Sequence, residues 1–286
     1  MSTNDLSSLG LDGLDGFGRA PSVAAGPAGP AGPELVLAAD VDLDEEPGDA
    51  EPAAVTNLVF DMGNVLMRFD GEYFARAFTD TEEDAQLLHR ALFGRMEWSL
   101  LDAGVISHET MRRLAAARLP ERLLPNLDAC IQGWPALSDP IEPVNDLAIR
   151  MKDEGMGVYL LSNASTRIGE QLENMPAFPI MDGWVVSAFE RIMKPDPEIY
   201  LVLCDRYGLD PASCLFIDDN PDNCEGARVA GMRPYLFDGD VEALEAAIGE
   251  ARAGGGEGED AGDDEGGPAG PIPDDGPAPD EAGVLG

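Results

Sequence analysis

Five side chains of this 286-residue sequence could do chemistry together: Asp61, Ser162, the Asp218-Asp219 pair and Lys194. Three carboxylates drawn into one partly dry cleft would repel one another strongly unless a cation or a proton came between them. Oxygen donors with only two histidines in the chain, His89 and His108, suit a hard ion, and magnesium above all. Lys194 would add a fixed ammonium, one of only two lysines beside 16 arginines, and so a point charge for a phosphate. Each feature alone has a plainer reading. Ser162-Asn163 is ordinary turn chemistry, Lys194-Pro195 a surface loop, and an aspartate after a strand a turn cap. Their joint placement carries the argument.

That placement depends on strands. Val55 to Phe60 is an apolar run that stops at Asp61, Gly157 to Leu161 stops at Ser162, and Cys214 to Ile217 stops at Asp218. Trp184-Val185-Val186 and Pro234 to Phe237 are weaker strand candidates between turn-forming glycines. Helices are predicted between them. One opens at Asp139 as N-cap, with Pro140 at N1 and Glu142 at N3, and stops near Gly155. Others open at Asp196 and Asn220, each followed by a proline. Alternating strands and helices predict an α/β fold, a doubly wound, mostly parallel, Rossmann-like sheet. Ligands bind such a sheet beyond the carboxyl ends of its strands, where the polar residues fall.

Charge marks the boundaries. With 55 acidic against 18 basic residues the net charge is −37, which argues against nucleic acid or an anionic membrane as partner. Residues 1–54 carry 11 acids and a single base, Arg19, and residues 254–286 carry 10 acids and no base. Both read as disordered acidic tails, too poor in apolar surface to offset the entropy of ordering. A Rossmann-like core is expected over 55–68 and 138–253, with an inserted helical cap over 69–137. No signal peptide or spanning helix is readable, and Cys130, Cys204, Cys214 and Cys224 form no Cys-x-x-Cys pair. A reduced, cytoplasmic protein is expected.

Four segments resemble motifs I to IV of the haloacid dehalogenase-like hydrolases, in order and over essentially residues 55–240. They are Phe60-Asp61-Met62-Gly63-Asn64-Val65, Leu161-Ser162-Asn163, Lys194-Pro195-Asp196 and Phe216-Ile217-Asp218-Asp219-Asn220. The form of the first, and the run Asp218 to Ala227, are similar to the α-D-glucose-1-phosphate phosphatase branch. The resemblance implies a magnesium-dependent phosphomonoesterase acting on a small phosphorylated metabolite, a sugar phosphate such as glucose 1-phosphate. Asp61 would be the nucleophile, forming an aspartyl phosphate. Asp61, the Gly63 carbonyl and Asp219 would ligate the metal, with Asp218 ligating it or orienting its water. Ser162, the Asn163 backbone N–H, Asn64 and Lys194 would hold the phosphoryl group.

The sequence departs from the family at Gly63, where most phosphatases carry a second aspartate that protonates the leaving group. General acid–base help of about 10² to 10⁴-fold has no side chain there. A hemiacetal leaving oxygen, as in a sugar 1-phosphate, would need less of it. The insertion after Arg68 resembles the helical cap of subclass I, with Phe74, Ala77, Phe78, Leu87, Leu88, Ala91 and Leu92 as its apolar pattern and Arg68, Arg95, Glu97 and Trp98 as candidate substrate contacts. Two alternatives stay open: a metal-independent dehalogenase, against which the Asp218-Asp219 pair speaks, and a catalytically weakened interaction protein.

Overall fold

The computed structural model describes residues 53–254, so the two acidic tails read from the sequence lie essentially outside the described residues. Five strands, β1 (Asn57–Phe60), β2 (Gly157–Ser162), β3 (Gly183–Val186), β4 (Cys214–Asp218) and β5 (Arg233–Leu236), form one sheet in the order β3-β2-β1-β4-β5, every pair parallel. The sheet is central because its strands are apolar on both faces, as a parallel sheet requires. Leu58 and Phe60 point to one side and Val59 to the other, the two-residue alternation of a strand.

Among the described residues eleven α-helices surround the strands. In the insertion after β1 come α1 (Gly71–Ala77), α2 (Glu82–Leu92), α3 (Met96–Asp102), α4 (His108–Ala116) and α5 (Leu124–Gly133). After them α6 (Glu142–Asp153) leads into β2, α7 (Gly169–Leu172) lies between β2 and β3, α8 (Ser187–Glu190) and α9 (Pro197–Tyr207) between β3 and β4, α10 (Pro221–Val229) between β4 and β5, and α11 (Val241–Ala253) follows β5. Val144, Leu147, Leu244 and Ile248 of α6 and α11 pack with Leu58 and Phe60. Ile199, Tyr200 and Leu203 of α9, with Ala227 of α10, cover Val59 and Phe216 on the opposite face. Asp196 and Asn220 cap α9 and α10, each side chain accepting a backbone N–H two residues on, as expected from Asp-Pro and Asn-Pro.

Register brings the polar ends together. Phe60 pairs with Leu160 of β2 and Ile217 of β4, so the next residue on each side of β1 lies at one edge. Asp61 continues the ladder, its N–H donating to the Ile217 carbonyl at 2.9 Å. Ser162 and Asp218 are the last residues of their strands rather than the first beyond them.

The predicted start of α6 is corrected. The helix begins at Glu142, with Ile141 as a cap that offers no side-chain bond, and Pro143 stands in its first turn. Asp139 to Ile141 instead run alongside the segment leaving the sheet. Arg68 N–H donates to the Asp139 carbonyl and Ile141 N–H to the Leu66 carbonyl, both at 2.8 Å. Ser138 donates to the Arg68 carbonyl at 2.8 Å, and buried Asn145 bonds the Leu66 carbonyl and the Ala177 N–H. These long-range bonds outcompete the local capping signal.

The five inserted helices carry a cluster of their own: Ala75, Leu88, Leu92, Leu101, Met111, Ala115, Leu127 and Cys130. Of the predicted apolar pattern, Phe74, Leu88, Ala91 and Leu92 are buried, but Ala77 is exposed because Ala75 takes the inward position in the short α1. All four cysteines are buried free thiols. No helix among the described residues is long and apolar enough to cross a membrane.

One close approach locks α10 against the Lys194-Pro195 segment. A Cβ on Gly226 would lie 2.1 Å from the Pro195 carbonyl oxygen, a backbone atom that cannot swing aside. Gly226→Ala is therefore expected to cost about 1–3 kcal/mol in urea unfolding through overpacking. Gly249→Ala, within α11 with nothing within 4 Å of the new methyl, should be neutral or gain up to about 1 kcal/mol. Equal stability of the two variants would contradict the packing argument.

Candidate active site

Lys194 organises the floor of the site. Its ammonium is buried and lies 2.7 Å from Asp61 Oδ1 and 2.6 Å from Asp218 Oδ2. The ring of Phe216 lies beneath it, 5.3 Å from Nζ to the centroid. Burial alone would push the lysine's pKa down, but the attraction of Asp61 and Asp218 outweighs that and raises it. Burial raises Asp61 to about 6 against the opposing pull of Lys194, with Asp218 adding repulsion. At neutral pH this is a mostly ionised carboxylate with a short reach to the cavity.

Asp218 stands behind the other two. Its carboxylate accepts four hydrogen bonds: from Lys194 at 2.6 Å, the Asn220 N–H at 2.8 Å and the Asn223 amide at 3.0 and 3.1 Å. Asn163 clamps the main chain of Lys194 through a two-way amide pair, both bonds 2.9 Å. The Asn163 side chain is thus engaged with Lys194, which leaves its backbone N–H as the group for an anion. Asn64 adopts a left-handed backbone, φ 55°, accepts the Phe69 N–H at 3.0 Å and donates to Asp219. Its side chain therefore braces the loop and Asp219.

One carboxylate oxygen from each of Asp61, Asp218 and Asp219 falls within 4.8 Å of the others. This all-oxygen set fits a hard divalent cation such as magnesium. The saturated Asp218 is the poorest donor of the three, whereas Asp219 is exposed to the cavity. Burial raises Asp219, Asn64 opposes this by hydrogen bonding, and Asp218 adds repulsion.

Above this floor lies a cavity of about 250 Å³. Asp61, Gly63, Asn64, Ser162, Asn163, Lys194 and Asp219 all line it, so seven of the eight predicted site residues share one space and Asp218 backs it. The roof comes from the helical lobe and its stem: Phe69, Trp98, Asp102 and Trp134. The three aromatic rings form a mutual cluster with centroids 5.5 to 5.7 Å apart. Of the four predicted substrate contacts only Trp98 lines the cavity. Arg68 is exposed and lines a neighbouring cavity instead, while Arg95 donates to the Arg90 carbonyl and Glu97 is held by Arg118, so these two are engaged elsewhere.

Asp102 is the residue the sequence reading missed. It ends α3, where the helix dipole disfavours a negative charge, and its carboxyl has no ion-pair partner among the described residues. Burial pushes it up to about 8. Its own carbonyl accepts the Ser187 hydroxyl at 2.6 Å, which ties the end of α3 to the sheet side of the cleft. Two residues on, Gly104 has φ +66°, and a Cβ there would lie 2.4 Å from the Ala188 carbonyl oxygen. A glycine two places after an acid at a helix end was the available signal.

A family model described as haloacid dehalogenase-like hydrolase matches residues 55–231. The phosphatase MT3486 of Mycobacterium tuberculosis is 27% identical over 205 residues, covering 65% of this chain and 88% of that protein. The sesquiterpene phosphatase astK of Aspergillus oryzae is 24% identical over 177 residues, covering 61% of this chain and 85% of that protein. In fold, the chain is similar to the HAD-family enzyme bt-2542 of Bacteroides thetaiotaomicron, whose wild-type structure holds magnesium and inorganic phosphate. The TM-score is 0.53 at 22% identity, over 65% of this chain and 96% of that one.

Two stability measurements test this electrostatic picture. Lys194→Met leaves two buried carboxylates without their cation and should cost about 3–5 kcal/mol in urea unfolding at pH 7; a loss under about 1 kcal/mol would contradict the central role of the ammonium. The raised carboxyl of Asp102 means that the folded chain keeps a proton which the unfolded chain releases in the ordinary carboxylate range. Stability therefore falls as pH rises from that range to about 8. Asp102→Asn should match the wild-type Tm at pH 4 and exceed it at pH 9, and calorimetry showing no widening of that gap would refute the assignment.

Proposed function

The chain belongs to the haloacid dehalogenase-like hydrolases, and from that premise we propose that it is a magnesium-dependent phosphomonoesterase acting through an aspartyl phosphate on Asp61. The observation that carries this reading is the buried ammonium of Lys194 between Asp61 and Asp218, directly under a cavity that Ser162 and Asp219 also line. A fixed positive charge at that spot stabilises a transferring phosphoryl group, whose charge spreads over three equatorial oxygens.

Each residue then has a task. Asp61 attacks phosphorus with one carboxylate oxygen, and its neighbourhood keeps that oxygen ionised and aimed at the cavity. Ser162 hydroxyl and the Asn163 backbone N–H orient two phosphoryl oxygens, and Lys194 balances the third. Asp61, the Gly63 carbonyl and Asp219 would hold magnesium, with Asp218 fixing Lys194 and the loop between them. The ion, when bound, supplies the positive charge that lets an anionic nucleophile meet an anionic ester. The helical lobe over residues 69–137 acts as the lid that excludes water from the cleft.

The substrate is a small phosphorylated metabolite. A space of about 250 Å³ roofed by Trp98, Trp134 and Phe69 suits a single ring stacked on aromatic faces, and a sugar 1-phosphate, as in the α-D-glucose-1-phosphate phosphatase branch, meets that description. The names of the two relatives, both phosphatases, support the reaction class.

Hydrolysis of 4-nitrophenyl phosphate provides the test. Activity should require magnesium, vanish with a chelator, return on adding the metal back, and drop by about 10⁴-fold or more in Asp61→Asn. Metal-independent halide release from a 2-haloacid would replace this reading with a dehalogenase. Silence of the wild type towards both would leave a binding protein.

A further inference from the structure

The cavity has a floor rich in charge and a roof that is almost wholly aromatic. Displacement at phosphorus needs the attacking and leaving oxygens roughly in line. With Asp61 on the floor, the leaving oxygen of any bound ester points to the roof. Asp102 is the one titratable side chain that the helical lobe contributes to the cavity lining among the described residues. On the floor, the position two residues after the nucleophile is Gly63, which has no proton to give.

Resting on the phosphatase reading, we infer that Asp102 is a catalytic residue, the general acid that protonates the leaving group in place of a side chain at position 63. In the first step an Asp61 oxygen bonds to phosphorus and the P–O ester bond breaks. Its electron pair stays on the ester oxygen, which takes the carboxyl proton of Asp102 and departs as an alcohol. Asp102 is then a carboxylate. In the second step it takes a proton from water as the water oxygen bonds to phosphorus and the Asp61–phosphorus link breaks. Inorganic phosphate leaves, and both aspartates return to their starting states.

The surroundings suit this cycle. The raised pKa of about 8 keeps Asp102 protonated at neutral pH, matching the acid to its working range. The other titratable groups lining the cavity are Asp61, Lys194 and Asp219, of which the first two are paired to each other. On its flanks, His108 of α4 bonds Ser165 and Arg112 pairs with Asp128, while Glu190 of α8 pairs with Arg206. None of these forms an ion pair with Asp102. The bond from Ser187 goes to the Asp102 carbonyl, so the side chain can change without undocking α3.

Gly63 offers an independent handle. Its backbone is not in the left-handed region, and a Cβ there would have only Asp61 Oδ2 and Phe69 Cβ as neighbours, both at 3.9 Å. The fold has room for an acid that the sequence does not supply.

Phenyl phosphate, with a poor leaving group, and 4-nitrophenyl phosphate, with a good one, separate proton donation from everything else. Asp102→Asn should lower kcat/KM for phenyl phosphate about 100-fold or more, and for 4-nitrophenyl phosphate less than about 10-fold. The wild-type fall of kcat/KM for phenyl phosphate as pH rises through about 8 should disappear in the variant, because the titrating acid is gone. The double variant Gly63→Asp, Asp102→Asn should regain most of the phenyl phosphate rate. Equal losses on both esters, no loss on either, or survival of the basic limb would each overturn the assignment. A wild type inert towards both esters would overturn the phosphatase reading, and this proposal with it. That result is recognisable because Asp61→Asn would then change nothing.

Discussion

The arrangement that the rest depends on is an ammonium sealed between two carboxylates. Lys194 can be charged in the interior only because Asp61 and Asp218 lie within 2.7 Å of it and because, among the described residues, no fully buried side-chain polar atom is left without a partner. Asn163 holds its main chain, Asn220 and Asn223 hold Asp218, and Tyr200 donates to the Asn223 carbonyl at 2.6 Å. Tyr200 in turn packs edge-on against Phe216, the ring under the ammonium. The chain of support runs from the apolar core of one sheet face straight into the reactive edge. Selection for chemistry and selection for packing act on the same side chains here.

The result is an asymmetric cleft. One wall is built on strand ends and is as rigid as the sheet. The other is a helical lobe whose aromatic residues form a nearly apolar surface interrupted by one carboxyl. Such a division separates two jobs: the wall of charge handles the group common to all esters of one kind, and the aromatic wall handles what varies among them.

Much of this was legible in the sequence, for identifiable reasons. A parallel strand buried on both faces is a short apolar run, and its end at Asp61, Ser162 or Asp218 is abrupt. Asp196-Pro197 and Asn220-Pro221 announce their helices because capping is a local interaction. Asp139-Pro140 carries the same local signal and fails, because Arg68 and Leu66, distant in sequence, claim those residues for backbone pairing. The roof was mostly illegible. Whether Trp98, Trp134 or Arg95 overhangs the cleft depends on how five helices settle on one another and on the sheet, and helical periodicity says nothing of that rotation. Asp102 looked like one more of the chain's 55 acidic residues; only its burial without an ion-pair partner sets it apart.

The two segments joining lobe and sheet, 64–69 and 138–141, are bonded to each other rather than running separately. A tether of this kind has a mechanical meaning. The crossings are coupled, which makes them a single hinge and the lobe a single arm. At the far side of that arm the Ser187–Asp102 bond acts as a latch, with Gly104 seated against Ala188 like a pawl in its notch. Trp98, Trp134 and Asp102 all belong to that arm, so a rigid displacement of it would carry the aromatic wall and the lone acid away from the strand ends together.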